Sequence, residues 1–133
     1  MRVGISFFLV LGLLTCAGCS KTKSTDELIG DLTSAEEGDR IRAVRLLPQR
    51  KADAAKIVPA LMKSLKDKEG DVRWSAAIGL GYFGEQAKDA IPALQAAQRD
   101  RDARVREAAG VALSRIDRER FPAPSNARRS GGK

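Results

Sequence analysis

The chain has 133 residues and a formal net charge of +7, and it contains no histidine and two cysteines. Its length leaves room for about one modest domain beside a targeting segment. Because both cysteines, Cys16 and Cys19, lie near the N-terminus, the folded body lacks the usual nucleophile and base pairs and the nitrogen and sulfur ligands of metal sites. We therefore expect no enzyme activity, metal site, disulfide or cofactor.

The first nineteen residues have the pattern of an export signal. Arg2 supplies a positive end, and a continuous apolar run from Val3 to Leu14 follows it. This run is about a dozen residues long, whereas a helix that spans a bilayer needs about 20. The pattern predicts a secretory signal peptide over residues 1–19.

The end of this signal, Leu14–Cys19, resembles the lipobox of bacterial lipoproteins, in which a cysteine after small residues is lipidated and becomes the mature N-terminus. Cys19 fits the acceptor position because Ala17 and Gly18 are small, whereas Cys16 would leave a threonine at the cleavage position. The resemblance implies a lipid anchor at Cys19, and the serine after it implies the outer membrane of the bacterial envelope, facing the periplasm. An ordinary cleaved signal and an uncleaved anchor are the alternatives.

A short polar segment, residues 20–25, has the composition of a tether. Ser24 and Glu27 match a capping box, in which a serine oxygen and a glutamate carboxylate satisfy free amides at the start of a helix. The first helix is therefore predicted to begin next to Ser24.

Residues 26–117 repeat with a period of 33, as shown by Leu28, Leu61 and Leu94. A fixed period of this length predicts one supersecondary unit repeated and stacked, each copy too small to bury its own apolar face. We predict an all-α fold, a short solenoid of about three helical hairpins, with repeats at about 26–57, 58–90 and 91–117. The same spacing links Arg40, Arg73 and Arg106, then Ala43, Ala76 and Ala109, and then Leu47, Leu80 and Leu113.

Four residues suggest where helices begin. Pro59 and Pro92 are predicted in the first turns of the first helices of repeats two and three, where a proline costs little. Asp89 is a predicted cap for the first helix of repeat three, and Asp71 for the second helix of repeat two.

The strings Asp-Val-Arg-Trp-Ser-Ala-Ala-Ile-Gly-Leu-Gly at 71–81 and Arg-Val-Arg-Glu-Ala-Ala-Gly-Val-Ala-Leu at 104–113 resemble second helices of HEAT repeats, in particular the short bacterial form called PBS-lyase-like. The Pro-Ala-Leu strings before them resemble its first helix. Repeat one departs from the pattern at Asp39 and Pro48, which is typical of a terminal, more polar capping repeat.

The resemblance also implies a ladder of ion pairs. In HEAT proteins the arginine found once per repeat pairs with an aspartate near the turn of the same or the adjacent repeat. Arg40, Arg73 and Arg106 are therefore expected to hold the repeats in register. Their available partners are Asp39, Asp71 and Asp102.

Trp74, Ile78 and Tyr82 lie four residues apart and form one stripe, about 200 degrees around the helix from Ala76 and Leu80. Trp, Tyr and Arg are frequent anchors at protein interfaces. We predict that this stripe binds a partner, flanked by Arg45 and Arg115 at the same positions of the neighbouring repeats; in HEAT folds the second helices line the concave side. The alternative is that Trp74 and Tyr82 pack between adjacent repeats.

The last segment, residues 118–133, is basic and is predicted to be disordered. Between the signal and this tail the charges nearly balance, which disfavours nucleic acid as a partner. The predicted function is a non-catalytic, lipid-anchored adaptor that binds an unidentified protein at the bacterial cell envelope. The alternative is a binder of lipopolysaccharide or peptidoglycan through the basic tail. A role like that of bilin lyases or nucleic-acid-binding HEAT relatives is disfavoured by the export signal.

Overall fold

The computed structural model describes residues 22–123, and over this range the chain forms six α-helices and no β-strand. Two short 3₁₀ segments, Leu47–Gln49 and Lys51–Asp53, lead from the second helix to the third, and a longer one, Gly84–Ala90, leads from the fourth to the fifth. The predicted signal peptide and Cys19 lie outside the described residues. The helices are α1 (Thr25–Asp31), α2 (Glu37–Leu46), α3 (Ala54–Ser64), α4 (Gly70–Phe83), α5 (Ile91–Ala97) and α6 (Ala103–Ile116).

The helices form three hairpins, α1 with α2, α3 with α4 and α5 with α6, and α4 packs against α2 on one side and α6 on the other. This arrangement confirms the predicted all-α stack of hairpins. The leucines that repeat in the sequence are its core, because removal of their side chains from water is the main favourable contribution to stacking. The buried leucines at equivalent positions are Leu28, Leu61 and Leu94 in the first helices, and Leu47, Leu80 and Leu113 at or near the second helices.

The start of α1 is the predicted capping box. The Ser24 hydroxyl accepts from the Glu27 amide at 3.2 Å, and the Glu27 carboxylate accepts from the Ser24 amide at 2.6 Å. The bond from the Ser24 amide is the main reason why the pKa of the Glu27 carboxyl lies below its ordinary value. Two free amides at the helix start are satisfied by residues that are adjacent in the chain, and this is why the local sequence predicts the helix start.

The predicted caps at Asp71 and Asp89 are wrong. The N-cap of α4 is Glu69, which makes no side-chain capping bond, so Asp71 lies inside the helix. The turn before α4 is closed instead by Asp67, whose Oδ1 accepts from the Glu69 amide at 2.9 Å. Asp89 lies inside the 3₁₀ segment that leads into α5, one residue before the N-cap, Ala90.

Pro92 lies at the start of α5 as predicted, but Pro59 lies inside α3. The difference arises because α3 begins at Ala54, directly after a 3₁₀ turn, and buries Ala54 and Ile57 in the core. In repeat three the backbone at Ala87, with φ −101° and ψ 22°, interrupts the helical path, so α5 starts later relative to its proline. The first helices of equivalent repeats are therefore not equally long.

Arg40 joins repeat one to repeat two through both ends of its guanidinium group. Nε and Nη2 donate to the two carboxylate oxygens of Asp67 at 2.9 and 3.3 Å. Nη1 donates to the backbone carbonyls of Ser34 and Ala35, in the turn of its own repeat, at 2.9 and 3.0 Å. A bidentate arginine and carboxylate pair fixes both distance and orientation.

Arg73 repeats the same pattern one step further along the stack. Nε and Nη2 donate to Asp100 at 2.8 and 2.9 Å, and Nη1 donates to the carbonyls of Asp67 and Lys68 at 2.8 and 3.0 Å. Arg40 and Arg73 are 5% and 6% exposed. Each buried arginine therefore ties the turn of its own repeat to an acid in the turn of the next.

The predicted acid partners of this ladder, Asp39, Asp71 and Asp102, are wrong. A side chain in the first turn of a helix points back toward the helix N-terminus, so each arginine reaches past these acids to the turn of the following repeat. Asp39 pairs with Arg42 at 3.1 Å. Asp71 and Asp102 both pair with Arg104, at 2.8 and 2.9 Å, and their hydrogen bonds raise the pKa of Arg104, Asp102 contributing most.

Two glycines of α4 lie where neighbouring elements come closest to it. A Cβ on Gly81 would lie 3.1 Å from Cα of Ala112 on α6, and a Cβ on Gly79 would lie 3.0 Å from Cγ of Pro48. Both distances are shorter than ordinary carbon contacts. The missing side chains let α4 pack closely against both of its neighbours.

The chain leaves α6 in a hydrogen-bonded turn. The Phe121 amide donates to the carbonyl of Asp117 at 3.0 Å, the Arg120 amide donates to its carboxylate at 3.1 Å, and the Phe121 ring packs against the core. Residues 118–121 thus differ from the predicted disordered tail. Residues 124–133 lie outside the described part of the chain.

The close approach at Gly81 predicts opposite effects of the same substitution in two helices. Gly81→Ala is expected to lower the free energy of unfolding by about 1–2 kcal/mol, because overpacking against the backbone of Ala112 outweighs the gain in helix propensity. Gly110→Ala in α6 is the matched control. Its Cβ would meet only the Gln98 side-chain nitrogen at 3.7 Å. Gly110→Ala is expected to raise the free energy of unfolding, measured in urea, by up to about 1 kcal/mol. Equal effects of the two variants would contradict the packing argument.

Removing the charge of Asp100 is expected to destabilise the stack. Arg73 lowers the pKa of Asp100 below its ordinary value of 3.8, so the stabilisation is complete above pH 3.8 and is lost as the pH falls through the folded-state pKa. Asp100→Asn should cost about 2–3 kcal/mol at neutral pH, because a buried guanidinium loses its counter-charge. The difference from the original chain should shrink below pH 3.8.

The control for Asp100→Asn is Asp26→Asn, which breaks the exposed Asp26–Lys56 pair at 3.1 Å. An exposed pair contributes about 1 kcal/mol or less, so this variant should unfold close to the original midpoint. Urea unfolding at neutral and acid pH measures both. Equal losses in the two variants would show that burial does not set the strength of the ladder.

Candidate functional site

Trp74, Ile78 and Tyr82 lie together on the side of α4 that faces away from Ala76 and Leu80. Trp74 and Ile78 are half-buried and pack against the core, whereas Tyr82 is 57% exposed. The structure therefore combines the two alternatives left open by the sequence. Part of the stripe is covered within the stack and part of it faces solvent. We call these three residues the α4 ridge.

A groove of about 470 Å³ runs along one side of the α4 ridge, between α2 and α4. Its far wall is formed by Arg45 and Pro48, at the end of α2 and in the 3₁₀ turn that follows. Gly79 also lines the groove, and its missing side chain lets α4 approach Pro48 closely. The groove between α2 and α4 is therefore largely apolar, with the cation of Arg45 at its edge.

A second groove, of about 440 Å³, runs along the other side of the ridge, between α4 and α6. Its far wall carries Glu107, Val111 and Arg115, the residues that follow the ridge positions by one repeat. Arg104 also lines this groove. Because Arg104 is paired with two aspartates, its charge is largely compensated.

The two grooves differ in one buried polar group. Ser75 lines the first groove, and its Oγ is buried with no hydrogen-bond partner among the described residues. The equivalent position in the second groove is Ala108. A buried hydroxyl without a partner carries a free-energy cost. Packing does not require the hydroxyl, since repeat three fills the same position with alanine.

Arg115 extends over the ring of Tyr82, with its guanidinium carbon 5.5 Å from the ring centroid. A cation above an aromatic face is attracted by the ring quadrupole, and this contact orients both side chains while they remain exposed. On the opposite side of the ridge, Arg45 is also exposed. Among the ion pairs formed by residues 22–123, none includes Arg45 or Arg115.

All five residues predicted to bind a partner thus lie on one face made by α2, α4 and α6. Sequence reasoning missed Pro48 and Gly79, which shape the first groove. The available signal is that Pro48 stands one repeat before Gly81, a departure that the repeat pattern alone attributes to a terminal capping repeat. The five predicted residues are Trp74, Ile78, Tyr82, Arg45 and Arg115.

This face offers aromatic and aliphatic contact area with cations on both sides, which suits binding rather than bond making. Within residues 22–123, no group of three or more Asp, Glu, His or Cys is arranged to hold a metal ion. None of the helices described is both long enough and apolar enough to cross a membrane.

Comparison with known families gives one match, to HEAT repeats, over residues 25–114. The matched region starts with α1 and ends within α6, so it includes the whole stack, both rungs of the arginine ladder and the α4 ridge. No curated protein sequence matches the chain. Because the family match covers more than half of the chain and its hairpins stack as the repeat predicts, this protein belongs to the HEAT-repeat family.

Proposed function

We propose that this protein is a non-catalytic adaptor that binds another protein through the α4 ridge and its two grooves, while an N-terminal lipid anchors it to the bacterial cell envelope. HEAT repeats in general mediate protein–protein interaction. The observation that carries the proposal is the exposure of Tyr82 between two grooves, under the guanidinium group of Arg115, which forms no ion pair with any residue of 22–123.

The chemistry of the face points to an acidic partner segment with apolar anchors. Half-buried Trp74 and Ile78 form a fixed surface that loses little entropy on binding, and the grooves on both sides can take apolar side chains. Arg45 and Arg115 then favour carboxylates at the edges of the segment and disfavour basic partners. The basic tail of this chain is therefore a poor occupant of the face.

The lipid anchor is supported by the sequence alone, through the resemblance of Leu14–Cys19 to a lipobox. Two signals or one transmembrane helix are usually needed for stable attachment, and a lipidated N-terminal cysteine with several acyl chains meets this requirement. Because α1 begins at Thr25 with Ser24 as its N-cap, the tether predicted over residues 20–25 is shortened to residues 20–23, which would separate α1 from the lipid surface. The proposed location is the outer membrane, facing the periplasm.

Substitution of the two aromatic residues should separate binding from stability. Tyr82→Ala is expected to change the free energy of unfolding by less than about 1 kcal/mol and to reduce partner recovery at least tenfold, because the ring is exposed and lies at the centre of the face. Trp74→Ala should cost about 2–3 kcal/mol, because its half-buried ring packs against the core.

Crosslinking in cells followed by purification measures partner recovery, and thermal unfolding measures stability. Lys88→Ala is the control, since Lys88 is exposed in the 3₁₀ segment before α5 and away from the ridge. Undiminished recovery of the partner with Tyr82→Ala would rule out the ridge as the binding surface.

The anchor has a separate test with a control built into the sequence. Cys19→Ala is expected to abolish the mass of the attached lipid and to release the protein from washed membranes, whereas Cys16→Ala should leave both unchanged. Intact mass of the detergent-extracted protein gives the cleavage site and the lipid in one measurement. A lipid found on the Cys19→Ala protein would move the anchor elsewhere.

A further inference from the structure

The arginine ladder has a third member that makes only half of its contacts. Nη1 of Arg106 donates to the backbone carbonyls of Asp100 and Arg101 at 2.8 and 3.2 Å, as the equivalent atoms of Arg40 and Arg73 do in their own repeats. In those two arginines, Nε and Nη2 also bind a carboxylate of the next repeat. For Arg106 the described residues supply no such carboxylate.

The rest of the chain contains no acidic side chain that could fill this position. Residues 1–21 and 124–133 contain neither aspartate nor glutamate. Arg40 and Arg73 are almost fully buried, whereas Arg106 is exposed at the end of the stack. Because two backbone carbonyls already orient the guanidinium group of Arg106, its Nε and Nη2 are well placed to bind one carboxylate bidentately.

The face of α6 beside Arg106 resembles the buried faces within the stack. Gly110 and Ser114 stand where repeat two has Ala77, which is buried, and Gly81, against which the next second helix packs. Next to them lies a groove of about 380 Å³, lined in part by Val111, which is 38% exposed. The C-terminal end of the solenoid therefore keeps the form of a stacking surface.

The N-terminal end of the stack is closed in a different way. Asp39 and Arg42, which pair with each other at 3.1 Å, stand where repeat two has Val72 and Ser75. Ser34 stands where repeats two and three have the acids of the ladder. A second copy placed head to tail would bring a serine to Arg106 and would bury an ion pair without new partners, which costs free energy.

We propose that the C-terminal end of the solenoid, formed by Arg106, Gly110 and Ser114, is a second docking surface that takes an acidic helical hairpin of a different protein. The hairpin stacks on α6 as a fourth repeat would. An aspartate in its turn completes the ladder at Arg106. Its three defining residues lie outside the α4 ridge, although the groove beside them shares Val111 and Arg115 with the second groove of the ridge. The adaptor would thus have two adjoining binding sites for two partner segments.

The two complete pairs of the ladder, Arg40 with Asp67 and Arg73 with Asp100, indicate where the acid that pairs with Arg106 should lie in its turn. Asp67 accepts from the amide of Glu69, and Asp100 accepts from the amide of Asp102 at 2.8 Å, in each case two residues further along the chain. The same carboxylate thus shapes its own turn and binds the arginine of the preceding repeat. We infer that the partner's acid is an aspartate two residues before the N-terminal cap of a helix.

The test uses the full-length chain with p-benzoylphenylalanine in place of Arg118, which is exposed and lines the groove beside Ser114. The cells are irradiated, and the same probe at Lys88 is the control position. The expected product at position 118 is a helical protein whose crosslinked peptide lies next to an acidic turn. In the purified complex, Arg106→Glu should weaken binding about 30-fold. Replacing the partner's aspartate with arginine should restore most of the affinity of Arg106→Glu.

Arg99→Glu reverses the charge of another exposed arginine in the same repeat and should change the affinity less than about threefold. Arg106→Lys keeps the positive charge without the bidentate fork and should weaken binding by an intermediate amount, which protects the test against misfolding of Arg106→Glu. Three results would overturn the proposal. The first is that crosslinks form only to a second copy of the chain. The others are that Arg99→Glu and Arg106→Glu lower the affinity equally, or that the arginine in the partner does not restore the affinity of Arg106→Glu.

Discussion

The bidentate pairing of a buried arginine with an aspartate of the next repeat is the interaction on which the register of this stack depends. The leucine core favours stacking, but apolar contact is not directional and tolerates sliding of one hairpin over another. Arg40 and Arg73 remove this freedom, because one guanidinium group is held by the carbonyls of its own turn and by a carboxylate of the following turn. The grooves beside the α4 ridge exist only in this register.

The ladder also links local structure to the stack. Asp67 and Asp100 each accept a backbone amide of their own turn and an arginine of the preceding repeat. A turn that loses its shape therefore loses the contact between repeats as well, and this coupling is typical of repeat proteins whose units are unstable alone. Because these arginines are buried, each one needs its carboxylate. Without the carboxylate, the guanidinium group would be an uncompensated buried charge, which lowers the free energy of unfolding.

The sequence predicts this fold well because the residues that repeat with a fixed period are those that must be buried in the core. Leu28, Leu61 and Leu94 recur at one spacing, and the capping box at Ser24 involves only neighbours in the chain. The acid partners of the arginines could not be predicted in the same way. Asp71 and Asp102 lie close in sequence to the arginines of their own repeats, whereas the observed partners, Asp67 and Asp100, lie 27 residues after Arg40 and Arg73. Only the direction of the arginine side chain and the offset of the hairpins select the distant acids. The positions of the ridge residues on one face follow from helical periodicity, whereas the groove walls depend on Pro48 and Gly79, whose effect arises only when the helices are packed.

The position of α4 between α2 and α6 has a consequence for how long the ridge stays formed. Repeat arrays open from their ends, because a terminal unit has one neighbour and a central unit has two. Amides of α1 and α6 should therefore exchange with solvent through brief local fraying, while those of α4 exchange only when the array comes apart. Tyr82 and Trp74 are carried by the helix that opens last, so transient loss of an outer hairpin leaves the aromatic surface intact.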